Sequence, residues 1–157
     1  MATGETEIVM KKIMSYNDAN DFGYVSAGDV AKLADLTSEL LASSYNKSQY
    51  LTVCLDHLLF DTPIKVKDEV HVKASINCVR KTSMEIGIKI EVTNHKTNKT
   101  SHVTSMYAVL VAVDLNLKPI PIPQLKLKTA IQKKRFEEAN KRMDMRLALK
   151  KADKSKK

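Results

Sequence analysis

The sequence predicts an α+β fold in which one antiparallel sheet wraps around a single long helix. Residues 28–44 carry apolar side chains at helical spacing, whereas from residue 49 onward the apolar positions recur at every second residue. The chain has 157 residues, which corresponds to one ordinary domain. A lone apolar helix followed by an antiparallel meander can bury its face only by lying across that sheet.

The first predicted elements are a short strand over residues 7–14, a polar turn over residues 18–23 and the helix over residues 28–44. The helix has a broad apolar sector, formed by Val30, Leu33, Ala34, Leu36, Leu40 and Leu41. Next to this sector lies a strip of small residues that ends on Asp35, namely Ala31, Ser38 and Ala42. Small side chains allow close approach, so we expect Asp35 to border a tight groove.

Four more strands are predicted over residues 50–60, 70–78, 84–92 and 103–113. The last of them is apolar on both faces, which indicates a central or doubly covered strand. Prolines at positions 119, 121 and 123 end the sheet. A highly charged helix over residues 129–151 follows, with scattered apolar anchors at Ile131, Phe136, Met143 and Leu147.

The excess positive charge lies at the C-terminal end. The chain carries a formal net charge of +8, yet residues 1–125 sum to −1 and residues 126–157 to +9. We therefore divide the chain into a domain over residues 1–125 and a basic helical tail over residues 126–157. The tail is either a solvated helix or an appendage that attracts nucleotide phosphates, nucleic acid or an acidic membrane.

Several classes of protein are disfavoured. No apolar run approaches the roughly 20 residues that span a bilayer, and the first twenty residues lack the apolar core of a signal peptide. Cys54 and Cys78 lie in strand-like runs without metal-ligand spacing, so we expect free thiols, no metal site and a reducing, cytoplasmic location.

Few residues are left to carry chemistry. Motifs for dinucleotide binding, phosphate loops, zinc proteases and nucleophile elbows are missing. The four histidines, at positions 57, 71, 95 and 102, are expected on the surface or in the sheet, and no serine is spaced to suggest a triad. The candidates are Asp35, which is either functional or simply solvated, and Asn20, which is either functional or a turn former.

Six segments in order resemble the acyl-CoA thioester hydrolases of the hotdog superfamily, including the brain-type long-chain enzymes. They are Asp18-Ala19-Asn20 with Gly23, Gly28 and Asp35; Leu51-Thr52-Val53 with Asp56; Thr82-Ser83-Met84-Glu85-Ile86; Val111-Ala112-Val113-Asp114; Lys118-Pro119-Ile120-Pro121-Ile122-Pro123; and the tail segment Lys133-Lys134-Arg135-Phe136-Glu137-Glu138. The resemblance covers roughly residues 13–142. One departure is Ala27-Gly28 in place of the usual Gly-Gly.

The resemblance implies a hotdog dimer, often assembled into a trimer of dimers, that hydrolyses acyl-CoA to fatty acid and CoA without a cofactor. The active site would lie at the dimer interface and pair Asn20 of one subunit with Asp35 of the other. The aspartate would serve as general base or as nucleophile. The backbone N–H of Gly28 is a sensible donor to the thioester oxygen, since amides at a helix N-terminus are unpaired.

The CoA phosphates require cationic or hydrogen-bonding partners, for which the sequence offers Arg80, Lys81, Thr82 and Ser83 as well as the basic tail. Two other functions compete with hydrolysis. A non-catalytic acyl-CoA binder would have no need of Asn20 and Asp35. A nucleic-acid or membrane-associated protein acting through the tail is disfavoured, because the body is neutral and lacks an exposed aromatic pattern for base stacking.

Overall fold

The computed structural model describes residues 4–156, and its strands form an antiparallel sheet in the order β1-β3-β4-β5-β2. The elements in chain order are β1 (Glu7–Ile13), α1 (Ala27–Asn46), β2 (Gln49–Asp56), β3 (Glu69–Val79), β4 (Ser83–Thr93), β5 (Thr100–Val113) and α2 (Ala130–Lys154). The predicted α+β hotdog architecture is confirmed, with α1 against one face of the sheet. β5 lies between β4 and β2, which agrees with its prediction as a central strand.

Helix α1 is bounded by a capping residue at its N-terminus and by a left-handed residue at its C-terminus. The Ser26 hydroxyl accepts a hydrogen bond from the Asp29 N–H at 3.2 Å and so caps the N-terminus. Lys47 follows the last turn in the left-handed conformation, with φ 57°. The inward face of the helix packs on the sheet in the main core, which includes Leu33, Leu41, Tyr45, Val72, Ile86, Leu110 and Met106.

The predicted apolar sector of α1 is only partly buried. Leu36 and Leu40 were expected in the core, but they are 47% and 50% exposed. The apolar arc of this helix is wider than the surface that one sheet can cover, so its far edge remains open to solvent in the single subunit.

β2 is shorter than predicted and changes face part-way along. It ends at Asp56 because His57 has φ 62°, which no strand tolerates. Thr52 pairs with Leu110 and Cys54 pairs with Val109, so Val53 is an extra, bulged residue. Leu110 lies in the core beneath α1, whereas Val109 lies in the cluster beneath α2. The bulge therefore turns Thr52 toward α1 and Cys54 toward α2.

Helix α2 packs on the outer face of its own sheet. Phe136 and Met143 contact this face, as predicted, but Ile131 and Leu147 are 57% and 52% exposed and are not anchors within the subunit. Two arginines of α2 attach the helix further, and the charge pattern of the tail did not distinguish them from solvated cations. None of the described helices is long and apolar enough to cross a membrane.

The arginines of α2 converge on one buried carboxylate, Glu85 of β4, which is fully inaccessible to solvent. Arg142 donates to Glu85 Oε1 at 2.7 Å, and Arg146 donates to Glu85 Oε2 at 2.6 Å. Arg146 also donates through Nε to Asp56 Oδ2 at 2.6 Å, at the end of β2. These ion pairs join α2, β4 and β2.

Candidate active site

Asp35 lies half-buried in the middle of α1, and the Thr52 hydroxyl donates a hydrogen bond to its Oδ1 at 2.6 Å. The neighbouring hydroxyl of Ser38 is not available to Asp35, because it donates to the Ala34 carbonyl at 2.8 Å. Within residues 4–156 no donor is bound to the second oxygen, Oδ2. The carboxylate is thus oriented through one oxygen and has the other available for a water molecule or an acyl carbon.

Sequence reasoning did not assign a role to Thr52. The residue belongs to the Leu51-Thr52-Val53 segment that resembles the hydrolases, but a strand pattern alone cannot tell which of its faces meets a helix. The bulge at Val53 decides this, because it separates the face of Thr52 from that of Cys54 and Asp56. The contact between Thr52 and Asp35 therefore follows from the tertiary structure and could not be predicted from the sequence pattern.

Asn20 forms the turn before α1 and keeps its amide nitrogen unused. Its Oδ1 accepts hydrogen bonds from the backbone N–H groups of Phe22 at 3.0 Å and Tyr24 at 3.1 Å, so the turn-forming role is present. Gly23 closes the turn with φ 78°. In the described part of the chain the Asn20 side-chain NH₂ has no acceptor, and the residue is exposed. Its two N–H donors face solvent from a fixed position.

Gly28 occupies the first turn of α1, where backbone N–H groups have no partner in the helix. Among the described residues, a Cβ at this position would meet the Ser26 hydroxyl alone, at 3.8 Å, so no described neighbour requires glycine. Gly28 and Asp35 are seven residues apart on one helix, which corresponds to about 10 Å. One thioester carbon cannot contact both groups of the same helix.

The predicted CoA-binding hairpin joins β3 to β4, and its cations differ in availability. Arg80 donates to the Asn140 side chain at 3.0 Å and to Asp144 at 2.8 Å, so α2 holds its guanidinium. Lys81 is exposed and forms no ion pair among the described residues. Thr82 and Ser83 are half-buried, and Ser83 with Arg80 lines a cavity of about 750 Å³ beneath the C-terminal half of α2.

The cysteines do not supply a nucleophile. Both are free thiols. Burial raises the pKa of Cys78 to about 11, and burial together with the Asp56 charge raises the pKa of Cys54. Neither forms a thiolate readily at neutral pH. Among residues 4–156, no group of three or more histidine, cysteine or acidic side chains is arranged to hold a metal ion.

Residues 22–99 match the family model described as thioesterase superfamily. Among curated proteins, protein VdlD of Helicobacter pylori is 33% identical over 90% of this chain and 80% of its own length. The chain belongs to the thioesterase superfamily. The predicted resemblance to hotdog acyl-CoA thioester hydrolases, and with it the expectation of a hydrolase, is confirmed at the level of the family.

Solved structures of thioesterases superpose closely on this superfamily member. An apo-hexameric acyl-CoA thioesterase has a TM-score of 0.80 at 25% identity, covering 90% of this chain and 91% of that one. The acyl-CoA hydrolase of Staphylococcus aureus, solved with butyryl coenzyme A and coenzyme A, has a TM-score of 0.82 at 22% identity, covering 96% and 92%. That enzyme has also been solved as alanine variants of one asparagine, one aspartate and one threonine.

Proposed function

We propose that this thioesterase-superfamily chain hydrolyses fatty acyl-CoA to fatty acid and CoA, at sites shared between two subunits. The observation that carries the proposal is Asp35, held by Thr52 through Oδ1 with Oδ2 unoccupied by any described donor. A carboxylate in that state either removes a proton from water or attacks the thioester carbon itself. The thiolate of CoA is the leaving group in both cases.

The spacing of the site residues supports the same assignment. The asparagine, aspartate and threonine that were replaced in the Staphylococcus aureus hydrolase are separated by 15 and then 17 positions. Asn20, Asp35 and Thr52 have the same two separations. We therefore add Thr52 to the proposed site, as the residue that orients the Asp35 carboxylate.

The thioester oxygen needs donors where negative charge develops. Among the described residues, Asn20 has an unused NH₂ in the turn before α1, and Gly28 has an unpaired backbone N–H in the first turn of α1. Asp35 lies about two turns farther along the helix than Gly28. Donors and carboxylate meet on one substrate if they come from different subunits. We therefore propose that Asn20 and Gly28 of one subunit act with Asp35 of its partner.

A free sheet edge and apolar surface support the proposed dimer. β2 is an edge of the described sheet, and its exposed side chains include Leu51, Val53 and Leu55. An unpaired apolar edge is normally covered, and pairing with a second copy covers it. Leu36 and Leu40 of α1 are also exposed apolar side chains that a second subunit would cover. A trimer of such dimers and a cytoplasmic location remain predictions.

The experiment mixes two inactive variants. After subunit exchange between Asn20→Ala and Asp35→Ala, half of the dimers are mixed and each contains one intact site, so about one quarter of the wild-type sites should return. An acyl-CoA chain-length series on the wild type and each variant alone provides the reference. Complete exchange without recovered activity would refute the shared site. Binding of acyl-CoA without thiol release by the wild type would instead support the non-catalytic binder.

A further inference from the structure

Asp61, His102 and Ser105 form a hydrogen-bonded chain on the face of the sheet opposite α1. His102 Nδ1 lies 2.7 Å from Asp61 Oδ2, and His102 Nε2 lies 2.9 Å from the Ser105 hydroxyl. No serine is spaced along the sequence in a way that predicts a triad. The three side chains nevertheless have the order and the distances of a Ser-His-Asp constellation, which is recognised by geometry and not by sequence position.

A β-bulge brings the histidine and the serine together. On a regular strand, residues three apart point to opposite faces. In β5, however, Thr104 pairs with Ile90 and His102 pairs with Glu91, so Val103 is an extra residue. Val103 and Thr104 are both fully buried, which leaves His102 and Ser105 on the same outer face. Bulges are common next to active sites because they redirect side chains.

The backbone of the same bulge also holds the third group. The Asp61 N–H donates to the Val103 carbonyl at 2.8 Å, so the loop after β2 is fixed beside the bulge. A carboxylate only accepts hydrogen bonds, hence His102 carries its proton on Nδ1. Nε2 is then the acceptor, and the Ser105 hydroxyl donates to it. This tautomer is the one in which an imidazole removes the proton of a serine.

A cation lies next to the serine on the neighbouring strand. Ser105 pairs with Lys89 of β4, and both residues line a cleft of about 520 Å³. The other cations of this cleft are also paired with carboxylates, since Glu91 binds Lys73 and Glu7 lies 3.8 Å from Arg135, so the cleft does not select an anionic substrate. Because the Lys89 ammonium is 53% exposed and already pairs with Glu91 at 2.7 Å, it stabilises an oxyanion less than a pair of rigid N–H donors does.

We propose that Asp61, His102 and Ser105 form a second acyl-transfer centre, which cleaves small carboxylic esters through an acyl-serine intermediate. The Ser105 oxygen bonds to the ester carbon while its proton passes to His102 Nε2. The bond from that carbon to the alcohol oxygen breaks, and the proton leaves with the alcohol. Water then hydrolyses the acyl-serine. The weakly stabilised oxyanion slows both steps. With an activated ester, whose leaving group departs readily, deacylation is the slower step, and we expect the acyl-serine to accumulate.

The experiment uses p-nitrophenyl acetate with the full-length Asp35→Ala variant, so that the thioesterase site does not contribute. We expect a burst of p-nitrophenol and one acetyl group on the peptide that contains Ser105, seen by mass spectrometry. Adding Ser105→Ala should abolish both, and adding Asp61→Asn should slow acylation on the order of a hundredfold.

Ser101→Ala is the matched control, because Ser101 is an exposed serine of the same strand and forms no hydrogen bond with a histidine in the described chain. It should retain the burst and the label. An equal burst in Ser105→Ala, or acetylation of Ser101 to the same extent as Ser105, would overturn the proposal. Because Ser105 is exposed, its replacement by alanine should leave the far-ultraviolet circular dichroism spectrum unchanged.

Discussion

The ion-pair cluster of Glu85, Arg142, Arg146 and Asp56 predicts an unusual reversal of mutational effects. Arg146→Met removes a guanidinium that pairs with both Glu85 and Asp56, each at 2.6 Å. Glu85 retains Arg142 at 2.7 Å and the Asn77 amide at 3.1 Å, so the carboxylate is not left alone. Breaking a buried pair completely costs about 3–5 kcal/mol, and this partial loss should cost less.

A buried donor of Arg146 that has no hydrogen-bond partner among the described residues also reduces the free energy of unfolding that Arg146→Met loses. Arg146 Nη2 is buried and has no hydrogen-bond partner among residues 4–156, and methionine removes that group together with the two ion pairs. A buried unsatisfied donor costs about 1–3 kcal/mol. We therefore expect Arg146→Met to lower the free energy of unfolding by about 2 kcal/mol. Replacing both Arg142 and Arg146 by methionine leaves Glu85 without a cation and should cost more than the sum of the two single changes.

Glu85→Gln provides the decisive comparison. In the wild type it leaves two guanidiniums facing a neutral amide and should destabilise, whereas in the double-methionine background it removes an unpaired buried charge and should stabilise. The assay is urea unfolding at fixed protein concentration, since an oligomer's stability depends on it. Arg135→Met is the control, because the one ion pair of Arg135 in the described chain is a 3.8 Å contact with the exposed Glu7. This change should alter stability by less than about 0.5 kcal/mol. Destabilisation by Glu85→Gln in both backgrounds would refute the reasoning.

Three further predictions concern the proposed site and the acid range. Asp35→Asn should lower kcat for acyl-CoA hydrolysis on the order of a hundredfold or more, while Glu39→Gln, one turn farther along α1, should stay within about threefold; equal rates for the two variants would remove Asp35 from the mechanism. Thr52→Val should reduce kcat and Thr52→Ser should restore most of it, because only the hydroxyl reaches Asp35; activity that follows side-chain shape instead would contradict this role. Hydrogen bonds from Lys12 lower the pKa of Asp18 to about 2, and hydrogen bonds from Lys73 and Lys89 lower the pKa of Glu91 to about 2. Since both folded pKa values lie below the unfolded ones, this stability is complete above about pH 4–5 and is lost as the pH falls toward 2. In unfolding experiments across this pH range, Lys12→Met should make the free energy of unfolding depend less steeply on pH. An unchanged dependence on pH would exclude Asp18 as a contributor.

The elements that sequence could predict are those whose signal is local. The period of apolar residues located α1 and the strands, and turn residues located the ends of several of them. The burial of Leu36 and Leu40 was predicted wrongly. The helical period of apolar residues shows which face of α1 is apolar, but it does not show how much of that face the sheet covers. Which apolar surface is left for a partner depends on the tertiary structure.

The candidate site was predicted as far as single residues can be recognised by type and segment. Asp35 and Asn20 lie in segments that resemble the hydrolases, and the structure adds that one holds a hydrogen bond from Thr52 and the other an unused NH₂. Thr52, His102 and Ser105 could not be placed by an alternating pattern. In both strands a bulge shifts the alternation by one residue, so the pattern assigns the wrong face to everything beyond it.

The bulge in β2 also connects the proposed thioesterase site to the opposite face of the sheet. In β2 the bulge at Val53 turns Thr52 toward Asp35 on α1 and, four residues later, Asp56 toward Arg146 on α2. Arg146 attaches the far end of β2 to α2 through Asp56, in addition to the ladder bonds of β2 with β5. Loss of Arg146 should therefore loosen the strand that positions Thr52. We therefore expect Arg146→Met to lower kcat and to change KM little, under conditions in which the protein remains folded. Arg135→Met should change neither kcat nor KM.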